Sequence, residues 1–458
     1  MKTKCISNLS TFVAVAVLSF ACLTALAQDY RILHHFAGGN NDGARPWGDL
    51  IQSGTNLYGM TEQGGSNNLG TVFKVNSDGT NFQVLHSFIG GANDGQNPWG
   101  SLIQSGSTLY GMAASSDTSY GGIVFQINTD ADGSGFLVMH KFAVSDGMWP
   151  YGSLIQSDDT LYGMTTAGGA GSGWDGYGTV FSLNTNGPVF NFTVLHTFNV
   201  AANDGGWPYG ALFQSGASLY GTTAGGGSGG YGTVFQIGTN GGTNYHILYQ
   251  FTGDNSGGTY PNCSLVHSGS TLYGMTEQGG SNNYGTVFKV NTDGTFQQLH
   301  SFTGSTNDGR SPESGTLAQR GTMLYGMTWS GGVNGTNGVV YQINTNGVFQ
   351  LLHRFAGGSS DGKQPGGSVL LSGSTLYGMT GHGGSNNLGV IFALDLFPKL
   401  AVTLNGTNLI LSWSTNYPAF VLEGADQLDG TWTTVSGVTG CSATLPVGAD
   451  SRFYRLRK

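Results

Sequence analysis

LYGMTEQGGSNN, residues 57–68, returns letter for letter at residues 272–283 and, with two changes, as LYGMTGHGGSNN at residues 376–387. Its leading triplet recurs more widely, at Leu57, Leu109, Leu161, Leu219, Leu272, Leu324 and Leu376. The steps between copies are 52, 52, 58, 53, 52 and 52 residues. A period of that size carried through most of a chain marks a fold built by stacking one supersecondary unit on its own copies.

Each copy holds four strand-like runs. In the second copy these are SLIQS (Ser101–Ser105), TLYGM (Thr108–Met112), GIVFQIN (Gly122–Asn128) and FLVMHKF (Phe136–Phe142), designated strands a, b, c and d. Gly-Ser steps join a to b, and Asp-Gly or Asn-Gly steps usually join c to d, supplying the positive φ that hairpin turns require. The strands are apolar on both faces, as expected of sheets sandwiched between neighbouring sheets. The glycine of Leu-Tyr-Gly is expected to let an adjacent sheet approach closely. The pattern predicts an all-β fold, a seven-bladed β-propeller with four strands per blade, over residues 28–397. YRILHHF (Tyr30–Phe36) is a strand d with no a, b or c before it, and the last repeat ends at GVIFALD (Gly389–Asp395) with no d. The N-terminal strand is therefore expected to complete the last blade and remove exposed edges. Residues 399–458 differ in composition and read as a small β-sandwich.

A Tyr-Gly step followed by Gly-Gly after strand b resembles kelch-type propellers. More specifically, LYGMTEQGGSNNLGTVFKVNSDGTNFQVLHSF (Leu57–Phe88) resembles the GloVer (Gloeobacter/Verrucomicrobia) tandem repeat of secreted bacterial proteins. The resemblance spans nearly all of residues 28–397. It implies the repeat fold and an exported protein, and names no substrate. The C-terminal segment resembles fibronectin-type modules at the ends of exported bacterial proteins.

Export is also legible at the N-terminus. Lys2 and Lys4 precede an apolar stretch from Phe12, and Ala25-Leu26-Ala27 is a small-x-small cleavage site, so residues 1–27 read as a signal peptide. The stretch is short for a spanning helix, which takes about 20 residues, and no later segment could span a membrane. The protein is expected outside the cell or on its surface. Charged residues make up 9% and the net charge is −9, which leaves no basic footprint for nucleic acid. Cys263 and Cys441 survive processing and fall in different predicted domains, so two buried thiols are expected rather than a bridge.

The long loops lie before strand a and after strand b, and with strand a innermost they share one face, where ligands are expected. Asp42, Asp94, Asp146, Asp204, Asp308 and Asp361 each precede a glycine there, and the fifth repeat departs from the pattern at Asp254. These carboxylates read as turn caps; the opposing reading is calcium or sugar hydroxyls. His34, His86, His140, His196, His300 and His353, with Tyr249 in the fifth place, lie one per repeat on strand d, too far apart to share a metal. Less symmetric are the aromatic residues beside the loop prolines: Trp47, Trp99, Trp149, Tyr151, Trp207 and Tyr209, with Asn262, Glu313 and Gly366 in the later repeats. Trp174 and Trp329 add rings in b–c loops. These residues are either inter-blade packing or a platform that stacks on sugar C–H faces.

Asp130 and Asp132 resemble a fragment of a calcium loop but lack its distal Glu, so calcium is the only cofactor with any candidate. Glu62, Glu277 and His382 vary within the repeated loop and are expected to reach the same face. No catalytic motif is recognised. The expectation is a non-catalytic protein that binds polysaccharide. The alternatives are a scaffold or adhesin for a cell-surface protein, and a polysaccharide lyase or hydrolase using Glu313, Arg310 or His382. The terminal Arg and Lys residues read as a solvated strand or an anchoring feature.

Overall fold

The computed structural model describes residues 29–457 except 92, 116–120, 130–134, 170–175, 187–188, 242–243, 313–314, 414–419 and 448–451. Among the described residues the structure is all β apart from short 3-10 turns such as Val200–Ala202. The contacts divide the chain into two compact units. One holds Ile32–Leu371 with Tyr377–Phe392; the other holds Ala393–Lys458 with Ser372–Leu376 and the residues up to Arg31.

The first unit is β-propeller-like, and among the described residues the repeats form seven four-stranded sheets. The fifth repeat is representative. Its strands are Val266–Ser268, Thr271–Thr276, Thr286–Asn291 and Phe296–Ser301, hydrogen-bonded in that order and antiparallel. Strand a is shorter than its sequence suggests. Ser101, expected inside it, sends its N–H to the next repeat instead, onto Ser153 Oγ at 2.8 Å. In repeats one to six the pairing of c with d slips by one residue at the same place, as between Val287 and Phe288. The bulge adds one residue to strand d before its histidine, a device that re-aims side chains. The sheet of the last repeat has the order Asp29–His35, Val390–Asp395, Thr375–Thr380, Leu370–Ser372, so the N-terminal strand stands where the other repeats have strand d.

Packing between sheets explains the Leu-Tyr-Gly glycine, and corrects the expectation about it. The nearest neighbour of Gly274 is Phe288 of its own sheet, its cross-strand partner: a Cβ at Gly274 would fall 2.6 Å from the ring. Gly59 and Phe73, and Gly111 and Phe125, repeat this arrangement. The missing side chain lets the aromatic ring lie flat on its own sheet. An adjacent sheet then meets that ring edge-on. The contacts are Phe36–Phe73, Phe88–Phe125, Phe142–Phe181, Phe198–Phe235, Phe251–Phe288, Phe302–Tyr341 and Phe355–Phe392, with centroids 5.2–5.5 Å apart. Edge-to-face pairs of this kind contribute about 0.5–1.5 kcal/mol each beyond the area they bury.

In the second unit, Ala401–Asn405, Asn408–Ser412 and Ser442–Pro446 form one three-stranded sheet, and Thr433–Thr434, Val421–Ala425 and Phe453–Arg457 another. Leu411, Trp413, Leu422, Tyr454 and Leu456 are in its core. Arg455 and Arg457 both bind the buried Glu423 at 2.7 Å, and Arg455 lies over Trp432 at 4.3 Å. Cys263 and Cys441 are free and buried, one in each unit. Burial pushes the Cys263 thiol up to about 12, which keeps it protonated. No helix among the described residues is long and apolar enough to cross a membrane.

Candidate functional site

The two long loops of each repeat are zipped to one another. Gly43 pairs with Gly64, Gly205 with Gly226, Gly309 with Gly331, and Gly362 with Gly383. Single bridges do the same in the other repeats, at Gln96–Ser115, Met148–Ala167 and Thr259–Gln278. Directly after this zipper comes the residue before the loop proline. In all seven repeats it is a non-glycine with φ of 52–56°: Arg45, Asn97, Trp149, Trp207, Tyr260, Ser311 and Gln364. Helical conformations are disfavoured before proline, and a left-handed non-glycine residue costs on the order of 1–3 kcal/mol. Such a conformation persists only where its surroundings over-determine it. Here the Arg45 N–H reaches Leu388 O of the last repeat at 2.9 Å, while its carbonyl accepts the Glu62 N–H of its own repeat at 3.0 Å. Asn97, between Leu69 and Ala114, repeats the pattern. The backbone is braced in two directions, and the residue after the proline is held with it.

The residues after the proline converge. Trp47, Trp99, Tyr151 and Tyr209, from repeats one to four, line a shallow depression together with Asp49, Ser101, Ser153 and Ser264 and the backbone of Gly48, Gly100, Gly152, Gly210 and Gly367. Trp47 and Trp99 are stacked, 5.8 Å apart at 15°. Trp99 and Tyr151 are tilted at 5.2 Å, and Tyr151 stacks on Tyr209 at 5.9 Å. The four rings form a continuous crescent. Trp47 Nε1 donates to Glu62 Oε2 at 2.8 Å, which fixes the ring plane. Its opposite side covers Gly366 and Gly381 of the last repeat, where any Cβ would collide with the indole. The glycine in the seventh repeat and the tryptophan in the first are therefore two halves of one contact. In the fifth repeat Glu277 holds Asn262 as Glu62 holds Trp47, at 2.7 Å. Burial raises the Tyr151 and Tyr209 phenols, helped by the charge of Glu62 on the first and of Glu277 on the second, so both remain neutral donors.

Beneath the rings runs a relay of backbone N–H groups and side-chain oxygens. Asp49 N–H donates to Ser101 Oγ at 2.7 Å, Ser101 N–H to Ser153 Oγ at 2.8 Å, and Ala211 N–H to Ser264 Oγ at 2.7 Å. Ser264 bridges to Thr316, and Thr316 N–H donates to Ser368 Oγ. Ser368 N–H then returns to Asp49 Oδ1 at 2.5 Å.

The aspartates and histidines, separate signals in the sequence, are one device. His34, His86, His196, His300 and His353 each bond the aspartate eight residues on, and His140 bonds Asp146 six residues on, with Nε2 2.6–3.3 Å from the carboxylate. An ionised carboxylate only accepts, so Nε2 carries the proton. The same carboxylate caps its turn, as Asp42 does with the N–H groups of Gly43 and Ala37 at 2.7 and 2.9 Å. The faces of His34, His86, His140, His196 and His300 stack on an aromatic residue of the next repeat, His34 on Phe82 at 3.8 Å and His140 on Phe192 at 3.7 Å. Strand d of the fourth repeat lacks this staple: Tyr249 stacks on Phe296, and Asp254 caps Ser256 instead. These are structural staples between repeats.

Burial alone would raise the Asp308 carboxyl, but the hydrogen bond and attraction of His300 and the N–H groups of Gly309 and Thr303 outweigh it, and the group sits below the ordinary 3.8. A depressed native pKa means stability that is present above the ordinary carboxylate range and lost as pH falls through it. Asp308→Ala is expected to cost about 2 kcal/mol at pH 7, where the bonds from His300, Gly309 N–H and the N–H and hydroxyl of Thr303 are removed. In urea titrations the gap to the wild type should shrink steadily below pH 4; a gap independent of pH would contradict the assignment.

Of the expected site residues, the structure brings Trp47, Trp99, Tyr151 and Tyr209 together. Trp149 lies 6.4 Å from Tyr151, outside the lining. Trp207 packs over Gly225 and edge-on to Tyr177, and Trp329 is half-buried in its b–c loop with its backbone N–H on Ser311 O. Trp174, Asp130, Asp132 and Glu313 lie outside the described residues. His382 stands edge-on to Trp47 at 6.2 Å, and burial first, then Arg45 and Lys363, hold its pKa low. Sequence reasoning missed Asp49. The available signal was that Ser101, Ser153, Ala211, Ser264, Thr316 and Ser368 occupy its place in the other repeats.

A family model described as the Gloeobacter/Verrucomicrobia repeat matches residues 20–190 and 170–336. No curated protein matches the chain. Among solved structures, a puromycin hydrolase mutant is 11% identical at a TM-score of 0.47, over 80% of this chain and 58% of that one. A europium-containing methanol dehydrogenase is 9% identical at 0.47, over 80% and 93%. A puromycin-hydrolyzing peptidase from Mycobacterium tuberculosis is 9% identical at 0.45, over 91% and 69%. This chain spans under two thirds of the puromycin hydrolase it matches, and likenesses at these scores carry no argument about its activity.

Proposed function

This chain belongs to the Gloeobacter/Verrucomicrobia repeat family, and we propose that it is an exported, kelch-like, seven-bladed β-propeller that binds polysaccharide outside the cell without catalysing a reaction. The observation that supports this reading is the crescent of Trp47, Trp99, Tyr151 and Tyr209 around one depression. Flat rings with polar edges suit the C–H faces of pyranoses, and the serine hydroxyls and glycine backbone between them suit sugar hydroxyls. In this reading the seven sheets are seven blades, the segment from residue 399 is a fibronectin-like module, and residues 1–27 are the signal that exports them. Affinity at a shallow site is modest and rises where several copies engage one polymer.

The test is a pull-down and glycan-array screen with insoluble and soluble polysaccharides. Trp99, 37% exposed, can be removed with little effect on folding. Trp99→Ala is expected to weaken binding at least about tenfold, as loss of an aromatic anchor does. Binding that ignores this change, or a silent array, would overturn the proposal. Running the screen with a chelator tests the calcium candidates Asp130 and Asp132.

A second reading, a scaffold or adhesin for a surface protein, draws on different residues. Trp207, Tyr231 and Tyr260 are 38–39% exposed and none lines the depression. Exposed aromatic residues of this kind are enriched at protein interfaces.

A further inference from the structure

The relay beneath the rings needs a side-chain oxygen to accept one N–H from a neighbouring repeat. Serine does this at residues 101, 153, 264 and 368. In the first repeat the acceptor is Asp49 Oδ1, and the side chains of Ser368 and Ser101 bond the same carboxylate. A carboxylate is an expensive replacement for a hydroxyl in a partly buried place, because burial opposes its charge. Here burial does raise the Asp49 carboxyl, against the hydrogen bonds of Ser368 and Ser101. The Ser368 N–H alone does not call for a carboxylate, since serine accepts the equivalent bond at residues 101, 153, 264 and 368.

Carboxylates surround the depression of Asp49, offset at its Trp47 edge, where Arg45 and Lys363 act on His382. Among the described residues, the side chains lining the depression include no Lys, Arg or His. Glu62 stands behind Trp47 at 2.8 Å, and the charges of Glu62 and Glu277 are felt at Tyr151 and Tyr209. The faces of Trp47 and Trp99 add the negative side of two aromatic quadrupoles, the arrangement that attracts ammonium groups. Arg45, Arg310 and Lys363 are not among the residues that line it.

We propose that the depression selects glycans bearing a free, protonated amine, with Asp49 as the ion partner of that amine and the tryptophan pair beside it. This deepens the polysaccharide reading and rests on it. Partially or fully deacetylated amino-sugar polymers meet the requirement; neutral glucans meet it less well, and polyuronates are repelled by the same field.

The experiment is calorimetric titration of the whole chain, and of its Asp49→Ser and Asp49→Asn variants, with four probes of matched length. These are a glucosamine oligomer, its N-acetylated form, an oligogalacturonate and an oligolysine, each at low and high salt and at a pH where the amine is protonated. The wild type is expected to bind the free-amine oligomer about tenfold more tightly than the acetylated one, the order of one charge-assisted bond. Added salt should erode that margin. Asp49→Ser restores the residue of the other repeats and is expected to abolish the preference; Asp49→Asn, nearly isosteric, gives the same answer should serine disturb folding. Equal affinity for both amino-sugar forms, or a preference that survives both substitutions, overturns the inference while leaving sugar binding intact. Oligolysine binding as tightly as the sugar overturns the glycan class in favour of a cationic peptide. Silence toward every saccharide overturns the inference together with the polysaccharide reading.

Discussion

Alanine at Gly285 is expected to destabilise the fold by about 3–5 kcal/mol, the sum of a left-handed backbone penalty and a steric collision that cannot relax. Gly285 precedes strand c of the fifth repeat with φ 91°. A Cβ there would run into the carbonyl oxygen of Thr276 and lie 2.6 Å from Pro312 Cδ in the sixth repeat. The first is backbone of the same sheet and the second a locked ring, so neither yields cheaply. The same glycine–proline contact recurs between Gly70 and Pro98 and between Gly232 and Pro261. Gly321, in an a–b turn, is the matched comparison: its φ is 58° and a Cβ there would meet nothing within 4 Å. Gly321→Ala carries only the backbone term, about 1 kcal/mol. Urea denaturation of both variants decides the matter, and similar midpoints would refute the claim that inter-repeat sterics dominate at Gly285.

The second large effect concerns the N-terminal strand. Phe36 is fully buried and meets Phe73 of the first repeat edge-on, 5.5 Å away, as Phe302 meets Tyr341. Its N–H bonds Gly389 O at 3.1 Å, and Asn386 Nδ2 donates to its carbonyl at the same distance. Phe36→Ala is expected to cost about 3–5 kcal/mol, the usual range for a core phenylalanine. The value matters less than its comparison with Phe302→Ala. Phe302 sits on a strand d joined to its strand c by a hairpin, whereas Phe36 is joined only through space. Equal losses mean that the N-terminal strand is as integral as any strand d. A loss under about 1 kcal/mol for Phe36→Ala would mean that the strand is dispensable, and the prediction would fail. Near the start of that strand Arg31 binds the buried Asp395 at 2.6 Å, with Thr375 and Lys399 on the same carboxylate at 2.5 and 2.9 Å. An ion pair thus stands where other repeats have a covalent turn. Burial would raise Asp395, but these three partners outweigh it and hold the carboxyl low.

Local chemistry is what the sequence by itself determined. The 52-residue period, the Gly-Ser and Asp-Gly turns and the apolar strands depend on neighbours along the chain, so repeat, strand order, the orphan strand d at the N-terminus and the strand d missing from the last repeat are all readable. The histidine–aspartate staple is present too, as a spacing of eight residues in five repeats, but linking its partners requires knowing that the turn folds the aspartate back onto strand d. The role of the Leu-Tyr-Gly glycine escapes a linear reading for a related reason. Whether a Cβ is excluded by a neighbouring sheet or by a ring of the same sheet depends on rotamers, which sequence does not carry.

Tertiary structure alone decided the site. Ser368 and Asp49 are 319 residues apart and share a hydrogen bond, and Trp47 occupies the space left by Gly366. Such contacts exist only where the last repeat meets the first, and no pattern along the chain encodes them. The choice of four rings from eight aromatic candidates was equally a matter of position. Residues on either side of one proline look alike in sequence, but the braced left-handed turn directs the following side chain into the depression and leaves the preceding one outside it.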